Sequence, residues 1–254
     1  MAVWDDPDVD LLYEINGLAQ SAPTWADRTM EYVGEYGIVI ALVVLGLCAW
    51  WRVTRRADSR EEAVVGFTGL VWTPLAAAAA LLVNIPIRGF VERPRPFVEH
   101  KGLEVLVKGK DDFSFVSDHS TLAMALAVGI FMVHRRYGLV GILLAVAAGL
   151  SRVYMGVHYP TDVIGGLALG TAVTLLLAPA AIWLLTPVVA AIANTARVGA
   201  LVWAGPGRSG GGSTAAQTSE GADGADGGSG HRDGSDVEPQ RRRRGQRDDR
   251  DLAA

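Results

Sequence analysis

From Val64 to Ile87 the chain runs without a single charged residue. A stretch of that length matches the roughly 20 residues needed to cross the hydrocarbon layer of a bilayer. In lipid the backbone has no water to bond to, so such a segment satisfies its own N–H and C=O groups as a helix. The same pattern recurs. Tyr36 to Trp51 is almost wholly apolar and ends in the interfacial pair Trp50 and Trp51; Ser120–Val133 and Leu139–Leu150 are shorter apolar runs joined by a polar link at His134–Gly138; Asp162–Leu185 carries several glycines suited to close helix packing. Pro187–Trp203, interrupted by Asn194 and Arg197, reads as an interfacial or partly inserted helix. The expected fold is all-α: a polytopic membrane bundle of about five to six transmembrane helices.

The flanking segments read differently. Residues 1–24 form an expected N-terminal interfacial helix, with Leu11, Leu12, Ile15, Leu18 and Ala19 at helical spacing before Pro23; a short helix packed on the bundle fits the same spacing. The acidic start has no signal-peptide pattern, so targeting falls to the first span. Residues 25–204 are the membrane domain. Residues 205–254 are rich in Gly, Ser, Asp and Arg and read as a disordered tail, whose Arg241–Arg244 run is expected to be a solvated charge cluster and no nucleic-acid site, with binding to anionic lipid or nucleic acid as the alternative. The net charge of -4 selects no partner. Cys48, the single cysteine, has no disulfide partner and reads as a small buried residue.

Three polar clusters stand at the ends of the apolar runs, where ionisable groups are costly and mark function. In Ser151–Asp162, His158 and Asp162 stand four apart around Pro160, so that a carboxylate can accept the imidazole Nδ1 proton and leave Nε2 free as a nucleophile. A snorkelling Arg152 with a satisfied histidine is the plainer account of that stretch taken alone. Arg88, Arg93 and Arg95 lie close together after the second span and suit an anion, because guanidinium groups keep their charge and match phosphate oxygens with forked donors. Arg93 either joins them or faces lipid headgroups. At Ser114–Thr121, Ser117 is an expected N-cap, the first helical turn near Asp118 offers backbone N–H groups to an anion, and His119 stands over them.

Together these clusters resemble the type 2 phosphatidic acid phosphatase superfamily. Its first motif, a basic residue, six others and Arg-Pro, is matched by Arg88 through Arg95-Pro96. Its second, Pro-Ser-x-His, is matched by Ser117-Asp118-His119 with Val116 in place of the proline. Its third, Ser-Arg, five others, His, three others and Asp, is matched by Ser151-Arg152, His158 and Asp162. The usual first lysine is Arg88, which keeps the charge. Within the family the chain looks like the bacterial undecaprenyl-diphosphate phosphatases. The resemblance implies catalysis by His158, His119 and Asp162 through a phosphohistidine, phosphate binding by Arg88, Arg95, Ser117, Asp118 and Arg152, and no metal or other cofactor. It further implies a membrane lipid phosphate as substrate, with phosphatidic acid or a polyprenyl monophosphate as the alternative to the diphosphate. An anion transporter is the non-enzymatic alternative, but it calls for polar mid-span faces that the runs lack. The positive-inside rule puts the Arg52–Arg60 link, the His134–Tyr137 link and the tail on the cytoplasmic side of the cell membrane and the three motifs on the other.

Overall fold

The computed structural model describes residues 6–107, 109, 111–195 and 199–203. The tail over 205–254, with Arg197, Lys108 and Lys110, lies outside the described residues.

Helix α1 (Pro7–Ser21) starts where the sequence supplies both an Asp6 side-chain cap and a proline in the first turn. It is followed by α2 (Thr24–Tyr32), a π-helical turn over Val33–Gly37 and α3 (Ile38–Arg56), which run on as one helical span from Thr24 to Arg56. Ser59 caps α4 (Arg60–Val91), whose 32 residues contain Pro74 and Pro86; at about 1.5 Å per residue it is roughly 48 Å long. A short α5 (Pro96–Glu99) lies in the link to α6 (Asp118–Val133). His134 ends α6 and caps α7 (Arg135–Tyr154), and after a tight turn α8 (Pro160–Ala193) returns along the bundle before the single turn α9 (Gly199–Val202). Four of these helical stretches are long and apolar enough to cross a membrane, and α6 is a shorter apolar helix. With α6 they make the five apolar helices of a multi-pass membrane protein.

Helix α6 sits at the centre, packed by α4, α7 and α8. Small residues explain how four helices come so close. A Cβ added at Gly170 would stand 2.5 Å from the Thr121 carbonyl oxygen, and one at Gly166 would stand 2.7 Å from that of Ser117. Ala123, Ala125 and Ala127 on α6 and Ala77 and Ala80 on α4 are likewise buried. The large aliphatic and aromatic side chains point outward instead, among them Ile40, Leu82, Leu143, Leu176 and Trp183, as a chain solvated by lipid allows.

Two expectations are corrected, the separate helix from Pro187 and the burial of Cys48. Pro187 does not begin a separate helix: α8 continues through Pro179 and Pro187 to Ala193, where Arg60 donates to the last carbonyl oxygen, because a break in apolar surroundings would strand backbone groups. Of the helix expected over Pro187–Trp203, residues 187–193 belong to α8 and, among the described residues beyond it, Gly199–Val202 form the single turn α9. Cys48 is exposed on the outer face of α3. Helix α1 packs on the bundle with Leu12 beside Val153, Tyr159 and Val163, while Leu11 and Leu18 stay exposed.

Candidate active site

The motif-bearing ends of α4, α6, α7 and α8 gather at one end of the bundle. Glu92 adopts a left-handed conformation (φ 48°) that closes α4 at Arg88 and turns the chain into Arg93–Arg95. The turn between α7 and α8 needs Gly156 at φ 69°, where a Cβ would also meet the Glu104 carbonyl oxygen at 2.8 Å. Buried Asn16 of α1 fastens that turn, donating to the carbonyls of Glu104 and Tyr154 and accepting from the Glu104 N–H.

His158 lies in the connection between α7 and α8 and is 4 % exposed. Its Nε2 is 3.4 Å from Arg95 Nη1, and its Nδ1 is 3.6 Å from Asp162 Oδ2. Arginine can only donate, so Nε2 is the unprotonated nitrogen and Nδ1–H faces the carboxylate. Asp162, fully buried, is held in turn by the Ser114 hydroxyl, by the Tyr159 N–H at 2.9 Å and by Arg93 Nη1 at 3.0 Å. Burial, reinforced by the nearby charges of Arg95 and Arg152, pushes the His158 imidazole below its usual range against the pull of Asp162. The ring therefore stays neutral and nucleophilic to lower pH than an exposed histidine. The acidic limb of kcat/KM is expected below pH 6.5, the ordinary histidine value, with activity lost as pH falls through the depressed pKa; a pH profile of kcat/KM with its limb above that value would contradict this placement of His158.

Arg95, 4 % exposed, donates to the carbonyl oxygens of Asp112 (3.0 Å) and Val157 (2.9 Å) and to Asp112 Oδ1 (2.7 Å). Arg88 Nη1 meets the other oxygen of the same carboxylate at 2.7 Å, and its Nη2 contacts Asp118. Asp112 thus bridges two arginines. Partial burial pushes its carboxyl up, but the hydrogen bond from Arg95 and the charges of Arg95 and Arg88 outweigh that and hold it below the usual carboxylate range. Arg152, 1 % exposed, reaches Glu35 Oε2 at 2.5 Å, while His119 Nε2 lies 3.4 Å from Glu35 Oε1. Ser117 caps α6, its hydroxyl oxygen accepting from the N–H and hydroxyl of Ser120. The Asp118 side chain accepts from Asn84 at 2.7 Å and pairs with Arg88, so it faces α4.

The structure therefore brings His158, Asp162 and Arg95 into contact and ties Arg88 to Arg95 through Asp112, while Arg152 and His119 meet at Glu35 and Ser117 and Asp118 stand at the start of α6. Arg93 pairs with Asp8 at 2.7 Å and with Asp162, and stacks 3.6 Å over the Tyr159 ring. Asp8, Glu35, Asp112 and Ser114 are the residues that sequence reasoning missed. Glu35 did leave a signal, as a carboxylate on the edge of an apolar run. Among the described residues no group of three or more His, Cys, Asp and Glu side chains is arranged to hold a metal ion.

A buried imidazole backed by a carboxylate and touched by an arginine, at the end of a bundle of apolar helices, is an arrangement chemically suited to attack on a bound phosphate. Residues 69–186 match the PAP2 superfamily, and the chain belongs to it. The undecaprenyl-diphosphatase BcrC of Bacillus subtilis is 32 % identical over 56 % of this chain and 67 % of its own length. A lipid A 1-phosphatase of Rhizobium johnstonii is 39 % identical over 66 % of this chain and 73 % of its own length. The crystal structure of Aquifex aeolicus LpxE shares the fold, with a TM-score of 0.50, 20 % identity, and coverage of 69 % of this chain and 98 % of that one. The protein is a phosphatase of this superfamily.

Proposed function

We propose that the protein hydrolyses a polyprenyl diphosphate to the monophosphate through a phosphohistidine, without a metal ion. The observation that carries this reading is His158 itself: buried, with Nε2 unprotonated beside Arg95 and Nδ1–H toward Asp162. In the first half-reaction the Nε2 lone pair forms a bond to the terminal phosphorus as the bond to the bridging oxygen breaks, and His119 gives its proton to that oxygen. The polyprenyl monophosphate leaves. In the second, water attacks the phosphorus and passes a proton to His119. The N–P bond breaks, its electron pair returns to His158 and inorganic phosphate departs. Arg88, Arg95 and Arg152 stabilise the equatorial oxygens as charge redistributes, with Ser117 and the backbone around Asp118 closing the first turn of α6 beneath them.

A lipid substrate is supported by the position of the site at the ends of apolar helices. Phe90, 91 % exposed and two residues from Arg88, is an apolar side chain suited to the boundary between headgroup and tail. The undecaprenyl-diphosphatase relative favours a diphosphate; the lipid A 1-phosphatase relative keeps a phosphate monoester on another lipid as the second reading. The membrane domain over residues 25–204, the extracytoplasmic position of the motifs and the cytoplasmic tail are part of this proposal.

The test is phosphate release by the purified protein from polyprenyl diphosphate, polyprenyl monophosphate and phosphatidic acid in matched detergent with a metal chelator present. We expect release with a preference for the diphosphate of about tenfold or more in kcat/KM. Preference for a monoester would transfer the same site to the second reading. Activity that disappears with the chelator would remove the metal-free mechanism.

A further inference from the structure

Glu35 sits in the only π-helical turn among the described residues, inside the continuous span Thr24–Arg56. Such a turn inserts one residue into the helical ladder and re-aims the side chains around it, and π-turns recur at functional sites. Its neighbour Gly34 makes the approach possible: a Cβ there would stand 2.8 Å from Ser151 Oγ and 3.1 Å from Arg152 Nη2. The first span therefore presses against the third motif, and a carboxylate that is expensive inside an apolar segment is delivered to the site.

Its two oxygens divide their work. One takes Arg152 Nη1 at 2.5 Å and the other lies 3.4 Å from His119 Nε2. Arg152 Nε and Nη2, the two groups on the other edge of the guanidinium, are buried and have no hydrogen-bond partner among the described residues. That edge is the fork that meets two oxygens of a phosphate. A carboxylate bound to Nη1 leaves the fork unpaired and fixes its direction. An unpaired arginine at 1 % exposure would carry a large desolvation cost, which Glu35 offsets without occupying the fork.

We propose that Glu35 is a positioning residue that aims the unpaired edge of Arg152 and the imidazole of His119 at the same phosphate, so that the phosphate clamp and the general acid are set together by the first span. Glu35 lies outside residues 69–186, which match the superfamily. This inference rests on the proposed role of His119 as the acid that protonates the leaving oxygen.

The experiment compares wild type, Glu35→Gln and Glu35→Asp on two substrates: the lipid phosphate that the wild type hydrolyses fastest, and 4-nitrophenyl phosphate, whose leaving group departs without needing a proton. Glutamine keeps the shape and an acceptor oxygen, and thermal unfolding in detergent checks that the variants fold. Glu35→Gln is expected to lower kcat on the lipid about 30-fold, and on the aryl ester less than about threefold, with KM raised on both as Arg152 loses its aim. Glu35→Asp, which keeps the charge but not the reach, is expected to follow the same pattern. Equal losses of kcat on both substrates would reduce Glu35 to a structural ion pair and overturn the inference, as would an unchanged kcat on the lipid. A wild-type chain inactive on every lipid phosphate would instead remove the proposed function and, with it, any acid to position.

Discussion

Replacing His158 by alanine is expected to lower phosphate release at least about 10⁴-fold, a loss of roughly 5.5 kcal/mol of transition-state stabilisation. The size follows from what the residue is asked to do. In the proposed mechanism every other group around the phosphate stabilises charge or moves a proton, and each such contribution is worth about two to four powers of ten at most; the nucleophile forms the bond through which the reaction passes. Loss of the ring leaves Asp162 with its contacts to Ser114, Tyr159 and Arg93. It also removes Nδ1, a buried polar atom 3.6 Å from Asp162 Oδ2. Folding stability should therefore change by no more than about 1–2 kcal/mol. The measurement is single-turnover hydrolysis with alkaline quenching, which preserves a phosphohistidine. The wild type should retain labelled phosphorus on the protein and His158→Ala none. A labelled variant, or one turning over at a rate near wild type, would place the nucleophile elsewhere.

Arg95→Ala should produce the second largest effect, about 10²–10³-fold in kcat. Its guanidinium is the point at which three parts of the site meet: it donates to the Val157 carbonyl in the turn that carries His158, touches His158 Nε2, and grips Asp112 through both carbonyl and carboxylate. Arg95→Lys is expected to recover little of the loss. An ammonium is a compact charge with no planar fork and cannot span contacts that depart in three directions. Steady-state kinetics on both variants, with unfolding temperatures alongside, give the check. Near-complete recovery by lysine would mean that Arg95 contributes only its charge.

These two residues, like Arg88, His119, Arg152 and Asp162, were legible because of the solvent this chain occupies. Against apolar runs that must be helical, an arginine, a histidine or an aspartate stands out, and the cost of placing it there argues for a use. The four-residue spacing of His158 and Asp162 also encoded their pairing, since a proline at position 160 starts the helix between them. Glycines in the last span announced close packing, which Gly166 and Gly170 realise against the first turns of α6.

The partners of those residues were a different matter. Ser114 and Asp162 are 48 positions apart, Arg93 and Asp162 are 69, Glu35 and Arg152 are 117, and Asn16 and Tyr154 are 138. No local spacing links such pairs. Arg93 illustrates the limit best. Its neighbours in the chain suggested an anion or a headgroup, but α1 brings Asp8 to it, and the arginine became a strut between α1 and Asp162. Asp112 was one acidic residue in a polar link until folding set it between Arg88 and Arg95. Pro187 misled for the opposite reason: its intrinsic preference is to end a helix, and apolar surroundings override that preference.

What the sequence by itself determined was the set of helices and the chemistry at their ends, because a bilayer leaves a backbone no other way to satisfy its hydrogen bonds and makes every charged side chain conspicuous. Which charge answers which was decided only by the tertiary structure. The depth of a π-helical turn, the closeness allowed by Gly34 and the way α1 lies over the site set distances of a few ångströms between residues far apart in the chain, and pairing energies depend on those distances.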